Sequence, residues 1–588
     1  MVFLSGDPKA TRPLARFLRA GTAPSWGDLV AFLLLAAAAI LIVRGAEGMD
    51  QPLAALHVAP VTLDPARLPE YALRTTLRMF LALGASLVFT FTVATLAAKS
   101  RKAEMIIVPA LDILQSAPVL GFLTFTVTFF MGLFPGRQLG VECAAIFAIF
   151  TSQAWNMAFS FYQSLRSIPS DLDEVSRQFA FSPWRRFVRL ELPFATPSLV
   201  WNVMMSMSGG WFFVVASEAI TVGDTTVTLP GIGSWLSLAI ARQDMKAVAI
   251  GVGAMAVVIV LYDQLVFRPI VAWADKFRFE QTASGRRPGS WLYDLMRRTR
   301  WLRALSAPLA WPAKAMTAIE WPAPYRRGLR LPRLALSAWM GKTLDGLWIA
   351  GVVALALGGA WVLWDYLSAR LVLADLATAF GLGLATLLRV VVLIAIATAI
   401  WVPVGMWIGL RPAWAERLQP IAQFLAAFPA NVMFPFAVAA IVGFHLNPNI
   451  WLSPLMVLGT QWYILFNVIA GASAIPSDLK EAAGIFGLRG WQWWRQVGIP
   501  GIFPYYVTGA LTASGGSWNA SIVAEAVTWG DKHLEAVGLG AFIAKATAAG
   551  DYARVALGVA VMSIFVIAFN RALWRPMYRF AERRLRLA

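Results

Sequence analysis

Apolar and polar positions segregate along this chain on the scale of tens of residues. Mostly apolar runs lie near 27–44, 75–98, 105–132, 140–164, 197–220 and 246–268. Six more lie near 346–368, 380–409, 419–443, 449–471, 503–528 and 553–574. Each is close to the ~20 residues that cross the hydrocarbon core of a bilayer as a helix. Pro118 and Pro429 interrupt the third and the ninth; a membrane helix tolerates this where neighbours re-satisfy the freed backbone groups. The pattern predicts an all-α polytopic membrane protein of about 12 transmembrane helices.

Composition agrees. Hydrophobic residues make up 59% of the 588 and charged residues 14%, against about 25% charged in a soluble domain. A disordered chain and an ordinary soluble enzyme are excluded. The single Cys143 and the three histidines leave no internal disulfide and no zinc site, and Cys143 reads as a small buried residue.

The net charge of +18 is uneven. Lys99, Arg101 and Lys102 follow the second run, Arg177, Arg185, Arg186 and Arg189 follow the fourth, and six arginines lie between 571 and 586. The intervening loops are poor in Lys and Arg, so both termini are expected in the cytoplasm. The run near 27–44, preceded by Lys9, Arg12, Arg16 and Arg19, reads as a retained helix rather than a signal peptide. Residues 276–345 hold 14 Lys or Arg against 4 Asp or Glu, with tryptophans and prolines interleaved. This is the pattern of a linker lying on anionic lipid headgroups. With the charge so placed, nucleic acid is not needed as a partner.

The two halves repeat. Ile168-Pro169-Ser170-Asp171-Leu172 recurs as Ile475-Pro476-Ser477-Asp478-Leu479, an offset of 307. The same offset pairs Glu174 with Glu481, Pro193 with Pro500, Trp211 with Trp518, Glu218 with Glu525 and Gly231-x-Gly233 with Gly538-x-Gly540. Upstream the offset is 311, pairing Thr75 with Thr386 and Arg78 with Arg389. This is a tandem duplication of six-helix units in one orientation: a first repeat over 1–275, the linker over 276–345 and a second repeat over 346–588.

Between the fourth and fifth runs each copy predicts a compact two-helix hairpin, at 168–193 and 475–500. Asp478 and Glu481 read as a capping box, with Asp171 and Glu174 in the same places. Ala482 and Ala483 favour helix and Gly487 suits a left-handed cap. Ser182-Pro183 suits the start of the next helix. Such regularity in both copies points to a docking element.

Glu481-Ala482-Ala483, Gly487 and Val497-x-Ile499-Pro500 resemble the signature of the permeases of binding-protein-dependent ABC importers, type I class. The first copy is degenerate, with Glu174-Val175-Ser176, Ala180 in place of Gly, and Leu190-x-Leu192-Pro193. The resemblance spans about 75–268 and 386–575, and is closest to the nitrate, sulfonate, taurine and bicarbonate branch. It implies a fused pair of permeases whose hairpins couple to two ATP-binding cassette subunits. It further implies a periplasmic or lipid-anchored solute-binding protein outside, ATP and Mg in the partners, and no cofactor on this chain. The departures in the first copy imply unequal coupling.

Glu218, Glu525, Arg78 and Arg389 lie inside apolar runs, where charge is costly unless paired or wetted. Two readings stay open: groups lining the pathway, or an internal ion pair that orders the bundle. Gln153, Asn156, Gln461 and Asn467 are further lining candidates, as are Trp155, Trp462, Trp211 and Trp518. Gly231-x-Gly233 and Gly538-x-Gly540 lack the third glycine of a nucleotide loop and read as turns before short re-entrant helices. The expected activity is ATP-driven import of a small polar or anionic solute through the inner membrane by alternating access. A 12-helix secondary transporter is the alternative.

Overall fold

The computed structural model describes residues 61–584 except 117–118, 223–224, 278–289, 299–337, 429 and 530–531, with six isolated positions between 33 and 49. Most of the first expected span and of the basic linker, with Pro118, Pro429, Gly223-Asp224 and Gly530-Asp531, therefore lies outside the described residues.

Packing divides the chain into two compact units. One comprises 1–44, 164–200 and 261–334; the other comprises 45–163, 201–260 and 335–588. The larger unit thus holds helical cores from both copies.

In the first copy α1 runs Pro65–Lys99, α2 Arg101–Ser116, α3 Val119–Leu133, α4 Gln138–Arg166, α5 Ser170–Gln178 and α6 Pro183–Glu218. After a β-hairpin come α7 (Ile232–Ala241) and α8 (Met245–Phe277). A short helix, α9 (Trp291–Arg298), precedes the second copy. There α10 is Ala338–Ser368, α11 Leu373–Gly409, α12 Pro412–Ala427 and α13 Ala430–Gly443. The counterpart of α4 is bent by 44° into α14 (Pro448–Leu458) and α15 (Gln461–Ser473). Then follow α16 (Ser477–Ile485), α17 (Ile499–Ala524), α18 (Leu539–Ala548) and α19 (Tyr552–Ala581).

Among the described residues six helices are long and apolar enough to cross a membrane, namely α1, α6, α8, α10, α11 and α19, or seven if α14 and α15 form one bent span. The ninth run is broken at Phe428, whose backbone is extended (φ −77°, ψ 125°); the third crosses residues 117–118, which lie outside the described residues. In α17 the buried face carries Ser514, Ser517, Asn519 and Ser521, small polar residues that suit helix–helix packing rather than lipid. The opposite case is α10, whose apolar window has no buried residue.

Two elements correct the all-helical picture locally. The runs expected to continue to 220 and 528 stop at Glu218 and Ala524. The chain then enters β1 (Ala219–Val222) paired antiparallel with β2 (Thr225–Thr228), and β3 (Ala526–Trp529) paired with β4 (Lys532–Glu535). The β-branched Ile220-Thr221-Val222 and Thr225-Thr226-Val227-Thr228 favour this extended form.

The duplication is visible in backbone detail. Five-residue π-helical widenings occur at Phe187–Glu191 and Trp494–Gly498, and again at Asp263–Phe267 and Asn570–Trp574. Each precedes a proline by two residues, at Pro193, Pro500, Pro269 and Pro576. The wider turn accommodates a ring that removes a donor and crowds the carbonyl four residues back. Within the larger unit α2 and α3 of the first copy pack against α17 and α19 of the second. The short helices exchange reciprocally, α7 packing on β3 and α18 on β1. Cys143 is half-buried rather than fully enclosed.

Candidate functional site

The hairpin of the second copy begins at Pro476, whose extended backbone (φ −56°, ψ 143°) turns the chain into α16. Asp478 therefore lies inside the first helical turn rather than at the cap, and the capping box read from sequence does not form at Asp478. Its charge faces the helix N-terminus, where an acid is stabilising. Pro169 (φ −57°, ψ 141°) does the same for α5, placing Asp171 in its first turn. Ser182 caps the following helix as expected, its hydroxyl accepting from the Arg185 N–H at 3.2 Å.

The C-terminus of α16 is a Schellman turn. The Gly487 N–H donates to Gly484 O at 3.1 Å and the Leu488 N–H to Ala483 O at 2.9 Å, with Gly487 at φ +67°. Ala483 is buried beneath it, while Asp478, Glu481 and Gly487 are exposed, Ala482 and Pro500 half-buried. At the tip Ile485, Phe486 and Trp491 are 84%, 79% and 72% exposed. The first copy repeats the turn with Ala180 at φ +50°, the Phe181 N–H donating to Ser176 O at 3.1 Å. Asp171 and Glu174 are exposed and Pro193 half-buried. Here Asp173 pairs with Arg177 and Arg186, both at 2.7 Å, and Arg186 reaches Glu191 at 3.0 Å. The first hairpin is thus braced by ions; the second has Lys480, Gly484, Trp493 and Gly498 at the matching positions.

The charged residues inside the spans converge in each copy. The Glu218 carboxylate accepts from Thr75 Oγ1 at 2.7 Å, Arg78 Nη1 at 2.6 Å and the Gly233 N–H at 2.7 Å. Thr75 Oγ1 in turn accepts from the Ile232 N–H at 3.0 Å. Glu218 and Thr75 thereby cap the N-terminus of α7 from other helices, satisfying donors that a buried helix end leaves open. Arg78 also forks onto Glu142, with Nη2 at 2.7 Å from Oε1. In the second copy Glu525 accepts from Thr386 (2.9 Å), Arg389 (2.9 Å) and the Gly540 N–H (2.7 Å). The place of Glu142 is taken by Asn449, whose Oδ1 accepts from Arg389 Nη2 at 3.2 Å and from the Val537 N–H at 2.7 Å. A Cβ at Gly231 or Gly538 would overlap the neighbouring carboxylate; the glycines are required by that close approach.

A cavity of about 160 Å³ lies in the larger unit, lined by both copies. Equivalent positions meet there: Trp155 and Trp462, Asn156 and Tyr463, Gly209 and Gly516, Phe212 and Asn519. None of its described lining residues is charged, and Arg78, Arg389, Glu218 and Glu525 are not among them.

The sequence matches the family described as "Binding-protein-dependent transport system inner membrane component" over residues 86–268 and again over 401–586. The chain belongs to this family. It is a multi-pass inner-membrane component that matches the family in two successive regions. Similar proteins include the nitrate import permease protein of Leptolyngbya laminosa, 28% identical over 186 residues, covering 32% of this chain and 63% of that protein. The bicarbonate transport system permease protein of Synechococcus elongatus is 32% identical over 164 residues, 28% of this chain and 56% of its own. The glycine betaine/proline betaine transport system permease protein of Escherichia coli is 29% identical over 168 residues, 29% and 43% respectively. The matched part of this chain thus spans about six-tenths or less of the length of these relatives.

In this chain the structure brings Arg78 to Glu218 and Arg389 to Glu525, and places Trp155, Asn156 and Trp462 on the cavity. It places Trp211 and Trp518 in the core, fully buried, and Gln153 beside Ser86 and Met207. Gln461 accepts from the Trp401 indole at 2.8 Å, and Asn467 donates to Tyr463 O at 2.8 Å. Sequence reasoning passed over Glu142, although an acid inside an apolar run was the signal that flagged Glu218. It also passed over the packing role of Gly231 and Gly538, for which the pairing with Glu218 and Glu525 at a fixed spacing was the available signal.

Proposed function

We propose that this chain supplies both membrane-spanning halves of an ATP-driven importer, joined in one polypeptide over 1–275 and 346–588 with the 276–345 linker on the lipid surface. Two ATP-binding cassette subunits dock on the two hairpins, and a solute-binding protein delivers cargo at the outer face. ATP and Mg are held by those subunits, hydrolysis occurs there, and this chain carries no cofactor. Both termini lie on the cytoplasmic side. Closure of the ATPases pushes on the hairpins and rocks the bundles between inward-facing and outward-facing states.

The observation that carries this reading is the second hairpin's tip. Three large apolar side chains, Ile485, Phe486 and Trp491, stand exposed on a loop fixed by a left-handed glycine turn. Exposed apolar side chains of this kind mark a contact surface for a protein or a membrane; on a regular hairpin between two spans they suit a docking protein, which a secondary transporter does not need. The family and the import permeases it resembles support the same assignment.

The test is ATPase activity retained by the tagged chain purified from its own membranes. Wild type is expected to carry vanadate-sensitive hydrolysis, and Phe486→Asp to lose it at unchanged yield and thermal stability. Solute uptake that persists in vesicles lacking ATP and ATPase subunits would reject the importer.

A further inference from the structure

The central cavity has a chemical character that its symmetry does not require. The same positions of α6 and α17 contribute Met205, Phe212 and Phe213 from the first copy but Thr512, Asn519 and Ala520 from the second. At these three pairs the first copy is bulkier and more apolar than the second; elsewhere both copies line the cavity with residues of both kinds, Asn156 and Ser206 from the first, Phe428 and Tyr463 from the second. The paired Trp155 and Trp462 add flat apolar surface. On the same wall the Ser206 hydroxyl is buried and has no hydrogen-bond partner among the described residues. A buried hydroxyl left unmatched is costly, and a ligand group that reached it would satisfy it.

Charge decides the class of ligand. Among the described lining residues none carries a charge at neutral pH, Tyr463 being a phenol. An anion here loses its hydration without gaining a cation, and it meets the negative faces of aromatic rings. Arg78 and Arg389 do not relieve this, because both are spent on carboxylates elsewhere. A cation meets the ring faces favourably, yet this offsets only part of its desolvation when no carboxylate lines the site. About 160 Å³ is close to the volume of a cavity that holds a single benzene ring.

We propose that the cavity takes a small neutral organic solute, with a ring-sized apolar part against Phe212 and Phe213 and a hydrogen-bonding edge toward Asn519, Thr512 and the Ser206 hydroxyl. This rests on the importer reading for its role in transport, and it narrows the expected cargo by removing inorganic anions.

The experiment uses three nearly isosteric probes that differ in charge: benzamide, benzoate and benzamidinium. Their binding to the purified full chain in lipid nanodiscs is measured by tryptophan fluorescence, with nitrate alongside. Benzamide is expected to bind at least about tenfold more tightly than either ion. Gly515→Leu supplies the site control. A Cβ at this cavity position meets nothing within 4 Å, so a side chain introduced there starts in open space. It should abolish benzamide binding at unchanged thermal stability. Ser206→Ala and Asn519→Leu should each weaken benzamide by severalfold. Benzoate, nitrate or benzamidinium binding as tightly as benzamide overturns the proposal, as does benzamide binding that survives Gly515→Leu or fails to saturate at its solubility limit. The assay contains no ATPase, so its failure leaves the hairpin test of the importer reading standing, and the reverse also holds.

Discussion

At the scale of single residues the two copies have diverged where charge is buried. Arg78 is enclosed and holds two carboxylates, Glu142 and Glu218. Arg389 holds one, Glu525, together with the Asn449 amide, and its side chain keeps 14% exposure. Removing one partner of a buried pair leaves the other uncompensated, at a cost of ~3–5 kcal/mol. The copies should therefore respond differently to one substitution. Glu218→Gln leaves the Arg78–Glu142 pair balanced, whereas Glu525→Gln leaves Arg389 facing only amides and carbonyls among the described residues. Glu525→Gln is expected to lower the thermal midpoint in detergent more than Glu218→Gln. The Glu525→Gln loss should lie toward the lower end of that range, because Arg389 reaches some solvent. Equal losses, or the reverse order, would show that Glu142 does not stabilise its node.

At the scale of elements the hairpins carry the clearest local conflict. The turn after α5 forces Ala180 to φ +50° where the second copy has Gly487 at φ +67°. An L-residue in this conformation costs roughly 1–2 kcal/mol, and glycine has no such penalty. Ala180→Gly is expected to stabilise the first hairpin by about 1 kcal/mol. Slower hydrogen exchange at the amides of Phe179 and Phe181 would register it; faster exchange would contradict the strain. How far such elements were legible depends on the range of the interactions that set them. The hairpins were readable because their turns and helix starts are local: Ser182 caps as its sequence says, and Gly487 turns as a glycine should. Asp478 was misplaced by one step of the same local code, since Pro476 begins the helix earlier than a cap at Asp478 allows. The strands after Glu218 and Glu525 were hidden because they continue apolar runs, although Thr-rich, β-branched sequence was the signal. Arg78 and Glu218 stood out as charges in apolar surroundings. Their union with Thr75, Glu142 and the start of α7 was not readable, because it joins residues up to 157 positions apart.

At the scale of the whole molecule, the repeat in the sequence and the packing in space divide the chain differently. The sequence divides at the linker, yet α2 and α3 of the first copy pack on α17 and α19 of the second, and α7 and α18 each pack on the other copy's strand. The cavity takes its wall from both. The covalent connection is then one way of holding together two copies that already share a packed interface, while their matched positions differ, as at Phe212 and Asn519. This makes the linker dispensable for association. The chain separated near residue 310 and expressed as two polypeptides, only the second tagged, should yield a one-to-one complex after detergent extraction and affinity capture. The recombined halves should also keep the benzamide-sized cavity that neither half contains alone. Recovery of the second half without the first would mean that the interface holds only while the chain is continuous. Pairing would then have to come from the tether rather than from the helices that line the cavity.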